Sequence, residues 1–171
     1  FPISKKLGKE RKLFASAITP NGITNYLNTI VNRNKNIYII KGEIGTGTEK
    51  FFEIIKEAAV QRGLNVELYY CPIEPENRIE HIVVPELSLA FTISNKYHDV
   101  SVATDNIIDF NQYIDAQALQ DFEKVLAYDS QMFDLLIDRA VDTIKEAKNY
   151  HDILEKCYIP SMDFSQTEQF E

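Results

Sequence analysis

The sequence has no tryptophan, two cysteines and no long apolar run among its 171 residues. The cysteines, Cys71 and Cys157, are too few and too far apart to predict a disulfide framework or a zinc site. No stretch approaches the roughly 18 to 20 apolar residues that a membrane-spanning helix requires. Because no apolar segment follows the basic start of the chain, we predict no signal peptide, no membrane contact and a cytoplasmic location.

Basic residues are also scarce, since 18 Lys and Arg stand against 26 Asp and Glu, for a formal net charge of −8. This balance argues against a general nucleic-acid binder, which needs a clustered basic surface to meet the phosphate backbone. The main basic cluster lies in residues 1–12, which we interpret as a linker or arm. Residues 159–171 are polar and acidic and predict a flexible tail. The chain opens on Phe rather than Met, which leaves open whether it is a fragment of a longer protein.

Hydrophobic residues make up 44% of the chain, enough for one α/β domain, which we place at residues 13–158. Short apolar runs between turn residues predict strands, and apolar residues at helical spacing predict helices. A helix between two strand candidates forms a βαβ crossover, which implies parallel strands. We therefore predict a three-layer fold with a mainly parallel sheet and a helical C-terminal segment. The predicted strands are 13–18, 37–41, 65–71, 81–84 and 87–93, and the predicted helices are 20–31, 50–62 and two between 115 and 158.

The glycine-rich stretch between the 37–41 strand and the 50–62 helix carries the main functional prediction. A strand, a glycine-rich turn and a helix together aim backbone N–H groups at a phosphate. The Walker A motif reads Gly, four residues, Gly, Lys and then Ser or Thr. Gly42 and Gly47 have that spacing, but Thr48 stands at the Lys position and Glu49 at the Ser/Thr position. The predicted phosphate-binding residues are Gly42, Gly45, Thr46, Gly47, Thr48, Glu49 and Lys50.

Two of the three functional groups of a working Walker A loop, the Lys and the Ser/Thr hydroxyl, are therefore missing. In such a loop the amides cradle the phosphates, the Lys neutralises their charge and the hydroxyl holds Mg²⁺. Lys50 sits two positions late, and helical geometry turns its side chain roughly 200° from the required direction. Glu43 and Glu49 add negative charge, and two like charges at about 4 Å repel by roughly 4 kcal/mol at an effective dielectric near 20. We predict a degenerate nucleotide site with weak or no hydrolysis, and assign no catalytic residue.

A dinucleotide-binding loop is the alternative interpretation of the same stretch. Its fingerprint is Gly-x-Gly-x-x-Gly, followed by an acidic residue at the end of the second strand that binds the ribose. Gly45 and Gly47 supply only two of the three glycines, and the 65–71 strand ends Tyr-Tyr-Cys. The sequence therefore disfavours this alternative.

Histidine offers a second source of candidate site residues. His81, His98 and His151 show no metal-ligand spacing, so we assign no metal site, and His81 opens an apolar strand, which favours a structural role. His98 follows the 87–93 strand. If that strand runs parallel to the one before the glycine loop, both end at the same sheet edge, where ligands bind in open α/β folds. Asn95, His98 and Asp99 are therefore candidates for a site at this edge.

A Mg²⁺ ligand of the Walker B type is not identified. That pattern is an apolar strand ending in Asp, and the 87–93 strand ends in Ser and Asn instead. Glu86 and Asp105 are carboxylates near strand ends, and neither is assigned to a metal.

The order of these motifs resembles one known family. Segment 13–22 (Leu-Phe-Ala-Ser-Ala-Ile-Thr-Pro-Asn-Gly) precedes 38–42 and the glycine loop, and 83–90 (Val-Val-Pro-Glu-Leu-Ser-Leu-Ala) and Tyr97-His98 follow. This combination resembles bacterial P-loop ATPase-like proteins of Gram-positive spore-formers, which are usually built of two homologous P-loop halves. The resemblance covers about residues 13 to 150 and implies the P-loop fold and an ancestral site for ATP and Mg²⁺.

The glycine loop departs from the pattern of that family, Gly-x-Pro-Gly-Thr-Gly-Lys-Ser/Thr. The matching residues are Gly42, Gly45, Thr46 and Gly47, and the departures are Ile44, Thr48 and Glu49. Two functions stay open. The chain is a P-loop NTPase-like domain with a degenerate ATP site, or it is a non-catalytic interaction or regulatory half. In the second case its partner is a P-loop half with an intact loop or another copy of the chain.

Overall fold

The computed structural model of the protein describes residues 2–43, 45–98 and 100–163, and the side chains of residues 116 and 118 also lie outside that description. Its main element is a six-stranded sheet with the strand order β1-β5-β6-β7-β4-β8. Strand β6 runs antiparallel to both of its neighbours, and the other five strands share one direction. These strands are β1 (Glu10–Phe14), β4 (Asn36–Lys41), β5 (Val66–Tyr70), β6 (Ile79–Val84), β7 (Leu89–Ser94) and β8 (Ile107–Asp109).

A separate two-stranded sheet and four helices complete the described structure. The prediction of an α/β protein with a mainly parallel sheet and a helical C-terminal segment is confirmed. Within the described residues, no helix is long and apolar enough to cross a membrane. The remaining elements are β2 (Ser16–Thr19), β3 (Gly22–Asn25), α1 (Leu27–Val31), α2 (Thr48–Gln61), α3 (Ala116–Gln120) and α4 (Glu123–Tyr158).

The chain divides into two compact units. The first, called the sheet unit below, contains residues 2–17 and 24–123, and the second contains 18–23 and the chain from 124 on. In the second unit α4 is a continuous helix of 36 residues, none of which is buried.

Both faces of the six-stranded sheet carry a buried apolar cluster. On one face Phe52 of α2 is fully buried against β5, where Leu68 and Tyr70 point toward it. On the other face Leu27 of α1 packs in a cluster with Tyr69. Alternate residues of β5 thus serve opposite faces, as the two-residue period of a strand requires.

The crossover from β4 through α2 to β5 is parallel, as predicted. The strands are not neighbours, because β6 and β7 lie between them in the sheet. Strand β7 pairs directly with β4 and in parallel, from Asn36 opposite Leu89 to Lys41 opposite Ser94. This pairing brings the ends of β4 and β7 to the same edge of the sheet.

The predicted helix over 20–31 is wrong in its first half. Residues 16–25 form the β2–β3 hairpin, and α1 begins only at Leu27. The turn contains Gly22 at φ 102°, and the Thr19 hydroxyl donates to the Gly22 carbonyl at 2.8 Å. Thr-Pro can start a helix, but Pro-Asn-Gly is also turn chemistry, because Gly adopts positive φ without strain. The turn signal prevailed over the helix-start signal.

Other boundaries shift by a few residues. Strand β1 begins at Glu10, inside the stretch predicted as an arm, and the predicted 13–18 strand divides into β1 and β2. Strand β8 was not predicted, because three residues are too few for a periodic pattern. Of the predicted tail, Ile159–Ser161 forms a 3₁₀ turn, and residues 164–171 lie outside the described part.

Candidate functional site

The glycine loop connects β4 to α2 at the carboxyl edge of the parallel strands. Gly45 and Gly47 have φ values of 90° and 82°, a conformation that glycine adopts without a steric penalty. Gly47 is the N-cap residue of α2, and no side chain among the described residues caps that helix. The first N–H groups of a helix have no partner within it, and the helix dipole makes this end positive. The loop therefore has the strand–turn–helix geometry that binds anions.

The inside of the loop is filled by its own threonines. A Cβ atom on Gly42 would lie 2.6 Å from Thr46 Oγ1 and 2.7 Å from Thr48 Cγ2, so only glycine fits there. The Thr46 hydroxyl donates to the Glu43 carbonyl at 2.7 Å, and the Thr48 side chain is buried. The predicted phosphate contacts of these two hydroxyls are thus partly replaced by contacts inside the loop. The Thr46 N–H also donates to the Glu43 carbonyl, at 3.2 Å, so the donors left for an anion are the other backbone amides of the loop and of the first turn of α2.

Strand β4 lies between two parallel neighbours at this edge. Its last residue, Lys41, pairs with Ser94 of β7 and with Asp109 of β8. Strand β7 therefore runs parallel to β4, as the prediction for Asn95 and His98 required. Both residues follow β7 at the edge where the glycine loop starts. Asp99, the third residue of that group, lies outside the described residues.

Asp109 is a strand-end carboxylate that the sequence interpretation overlooked. It ends β8 beside Lys41, after Ile107 and Ile108. Its Oδ1 accepts a hydrogen bond from Asn111 N at 2.9 Å, and Asn111 Oδ1 accepts one from Glu43 N at 3.3 Å. This pair of bonds attaches the 3₁₀ turn after β8 to the start of the glycine loop. In the sequence, the apolar pair Ile107-Ile108 followed by Asp109 could have indicated a strand that ends in a carboxylate.

The two carboxylates left unassigned from sequence lie elsewhere. Glu86 follows β6 in the turn to β7, and its Oε1 accepts from Asn65 Nδ2 at 2.7 Å. Asp105 precedes β8. Both are at the opposite end of the sheet from the glycine loop.

A buried ionisable cluster lies at the carboxyl edge, where β6 begins and β7 ends. Glu80, His81 and His98 expose only 2%, 1% and 7% of their surfaces. His98 Nε2 is 3.0 Å from Glu80 Oε2, and the two imidazole rings are 5.6 Å apart between centroids. The sequence shows no metal-ligand spacing between the histidines, and the fold brings His81 and His98 together. Glu80 was missed, although a carboxylate within the apolar run 79–84 was a usable signal.

A bulge in β6 brings two consecutive residues into this cluster. Neighbouring residues of a regular strand point to opposite faces. Here Tyr69 pairs with His81 while Tyr70 pairs with Ile79, so Glu80 is an extra residue without its own partner on β5. Such bulges interrupt the alternation and redirect a side chain. The bulge explains why Glu80 and His81 can share one site.

Hydrogen bonds from neighbouring strands fix both imidazole rings. His81 Nδ1 is 2.8 Å from Thr92 Oγ1, and that hydroxyl donates to the Ile93 carbonyl at 3.4 Å. The 2.8 Å contact joins His81 Nδ1 to the hydroxyl whichever of the two atoms carries the proton. His98 Nδ1 donates to Asn95 Oδ1 at 3.2 Å, an oxygen that also accepts from the backbone N–H of His98 at 3.1 Å. In both rings Nε2 is the atom that faces the cluster.

Arg78 joins the cluster to the glycine loop. Its Nε is 3.7 Å from Glu80 Oε1, and its Nη2 is 3.8 Å from Glu49 Oε1 in the first turn of α2. The Glu49 carboxylate, which the sequence analysis treated as opposing phosphate, is thus partly neutralised. Arg78 lies in the polar stretch before β6, and no motif singled it out.

Burial and mutual charge shift the pKa values in this cluster. Burial and the nearby His98 lower the pKa of His81 to about 3, so its ring is neutral. Burial alone raises the pKa of Glu80, but the adjacent His98 and His81 more than offset that effect and leave it below the ordinary value. Burial and Glu80 raise the pKa of the Cys71 thiol. The site therefore holds a carboxylate, a neutral imidazole and an un-ionised thiol.

The third histidine belongs to a different group. His151 lies on α4, and its Nδ1 is 3.5 Å from Glu155 Oε1. With Asp152 these side chains form a second set of potential ligands on an exposed helix face. Lys148 already pairs with that Asp152.

Comparison with known proteins adds no relative. No protein-family model, no curated protein and no solved structure matches the chain. The resemblance to P-loop ATPase-like proteins therefore stays a prediction.

Proposed function

We propose that the sheet unit is a P-loop NTPase-like domain of three-layer architecture with a degenerate ATP site. Its glycine loop binds nucleotide phosphates weakly through backbone amides, with slow or no hydrolysis. One observation carries this proposal. The loop of Gly45 and Gly47 joins β4, a parallel strand between β7 and β8, to the uncapped N-terminus of a 14-residue helix at the carboxyl edge of the sheet. Amides and dipole both favour an anion at that place.

The residues around the loop fit ATP and Mg²⁺ only in part. Thr48 provides no charge for the β- and γ-phosphates, and Glu49 provides no hydroxyl for Mg²⁺. Lys50 is exposed, and Arg78 already faces Glu49 and Glu80. We therefore derive no hydrolysis step, and we expect any Mg²⁺ to arrive with the nucleotide.

Calorimetric titration with Mg·ATP and Mg·GTP tests the proposal. We expect the protein to bind with a dissociation constant on the order of 1 mM or weaker. The double substitution Thr48→Lys, Glu49→Thr restores both missing functional groups and should tighten binding at least about tenfold. Lys145→Gln, on the exposed surface of α4, is the matched control and should change nothing. Micromolar binding by the unmodified protein would refute the degenerate site, and no gain in the double variant would refute the P-loop geometry.

A second candidate function is that of a non-catalytic half that packs on a partner P-loop half or on another copy of the chain. Helix α4 favours it, because large apolar side chains remain exposed along its length, among them Leu136, Ile153 and Leu154. A helix with an apolar stripe is normally covered on that side. Sedimentation equilibrium tests this candidate. A monomer at all concentrations would contradict self-association, although not a partner half. The cytoplasmic location stays a prediction from the sequence.

A further inference from the structure

We propose that Glu80, His81 and His98 form a binding site for a divalent transition-metal ion, with Zn²⁺ as the ion that best suits the donor set. The site is separate from the glycine loop and does not depend on nucleotide binding. Four observations support it: the donor atoms, their lack of partners, the orientation of the rings and the local charge.

The donor atoms are of the right type and lie close together. Glu80, His81 and His98 each offer one ligand atom, and these atoms lie within 4.8 Å of one another. Two imidazole nitrogens and one carboxylate oxygen form a protein ligand set of zinc enzymes, at about 2.0–2.2 Å from the ion. Atoms bound tetrahedrally at that distance lie about 3.3 to 3.6 Å apart. The widest pair must therefore close by up to about 1.4 Å when the ion binds, and a fourth position stays open.

Two of the three donors lack a hydrogen-bond partner. His81 Nε2 and Glu80 Oε2 are fully buried, and neither makes a hydrogen bond within the described residues. Glu80 Oε2 lies 3.0 Å from His98 Nε2, and since His98 Nδ1 donates to Asn95, Nε2 carries a proton toward that oxygen only in the imidazolium form. Buried polar atoms are nearly always satisfied in folded proteins, because an unpaired one carries a desolvation cost. A bound cation would satisfy both.

The imidazole rings are oriented as metal ligands usually are. A ligating histidine typically donates its other ring N–H to an oxygen, which fixes the tautomer and the ring plane. Thr92 Oγ1 takes this place for His81, and Asn95 Oδ1 takes it for His98. Each Nε2 is thereby directed into the cluster, and an ion binds there once both Nε2 atoms are free of a proton.

The charges leave one carboxylate for the ion. Arg78 lies between Glu49 and Glu80, 3.8 Å from one carboxylate and 3.7 Å from the other. Its contact with Glu80 is to Oε1, whereas Oε2 faces His98. Arg78 therefore pairs with Oε1, and Glu80 Oε2 remains to bind a cation. The alternative is a purely structural Glu80–His98 ion pair that anchors the turn after β7.

Zn²⁺ titration distinguishes a metal site from a purely structural ion pair. The protein is untagged, reduced and pretreated with a chelator. We expect one Zn²⁺ per chain, and a loss of affinity of at least about 100-fold in Glu80→Gln and in His98→Gln. Thr92→Val, which removes only the oxygen that orients His81, should weaken binding about 10- to 100-fold. The matched control is His151→Gln, on the exposed group of α4, and it should stay within about twofold of the unmodified protein.

A measurement on the unmodified protein guards against variants that fail to fold. X-ray absorption at the zinc edge should show only nitrogen and oxygen neighbours near 2.0–2.2 Å, including imidazole scattering. Sulfur at about 2.3 Å would place the ion on a cysteine and overturn the proposal. Absence of stoichiometric binding would overturn it too, as would a loss of binding in His151→Gln but not in Glu80→Gln.

Discussion

Substitution of Arg78 by methionine should destabilise the sheet unit by about 3 to 5 kcal/mol, because it leaves the buried Glu80 carboxylate without its cationic neighbour. The side chains of Arg78 and Glu80 expose only 11% and 2% of their surfaces, and Nε lies 3.7 Å from Oε1. At an effective dielectric of 20 that distance corresponds to about 4.5 kcal/mol of attraction. The His98 contact to the other oxygen persists in the variant and favours the lower part of the range.

The Glu49 contact of the same arginine provides the internal comparison. Its distance is 3.8 Å, nearly the same, but the Glu49 side chain is 36% exposed. Solvent screens such a pair, and exposed pairs contribute about 0 to 1 kcal/mol. Glu49→Gln should therefore cost less than about 1 kcal/mol. The two ion pairs of Arg78 have nearly equal distances but unequal burial, so we expect their loss to change the free energy of unfolding by unequal amounts.

Urea unfolding followed by near-ultraviolet circular dichroism measures these differences, because tyrosine packing reports on the sheet and tryptophan is absent. All samples contain a chelator, so that bound metal does not contribute. The double variant Arg78→Met, Glu80→Gln should recover about 2 kcal/mol relative to Arg78→Met, because no unpaired charge remains. The reasoning is refuted if Arg78→Met costs less than about 1 kcal/mol, or if the double variant is no more stable than the single one.

Three further predictions concern the sheet and the loop. Burial and a hydrogen bond to Glu67 raise the pKa of Tyr69 to about 12. The unfolded chain therefore loses this proton first, and on the order of 2 to 3 kcal/mol of stability should disappear as the pH rises from about 10 to 12. Urea midpoints in that range should fall less in Tyr69→Phe, and an equal fall would contradict the shift. Phe52→Ala should cost about 3 to 5 kcal/mol in the same assay, since the ring is fully buried, whereas a loss below about 1 kcal/mol would show that α2 does not pack there. Gly47→Ala should cost about 1 to 2 kcal/mol because of its positive φ, and a neutral effect would argue against the left-handed N-cap.

Local patterns predicted the elements around the glycine loop well. The predicted strand 37–41 and helix 50–62 are observed as β4 and α2 with shifts of one or two residues. Both signals are local, since each depends on apolar residues a few positions apart. The prediction of a helix over 20–31 was wrong in its first half because the local signals of that segment conflict. Thr-Pro favours a helix start, Pro-Asn-Gly favours a turn, and only pairing between strands decides between them.

The candidate site was predictable only where it is contiguous in sequence. The glycine loop was found from the spacing of Gly42 and Gly47. Glu80 and His98 are 18 positions apart, and they meet because β6 runs antiparallel to β7 and carries a bulge. Neither the strand direction nor the bulge has a signature in a single sequence. Arg78 was missed for the same reason, since both of its partners come close only through the fold.

The central claim is that the backbone amides of the glycine loop bind phosphate. The most direct measurement is a titration of ¹⁵N-labelled protein with pyrophosphate, followed by amide chemical shifts. The amides of Gly45 and Gly47 and of the first turn of α2 should shift together and saturate with one dissociation constant, on the order of 1 mM or weaker. Unchanged loop amides, or shifts confined to the basic residues of segment 1–12, would contradict the claim.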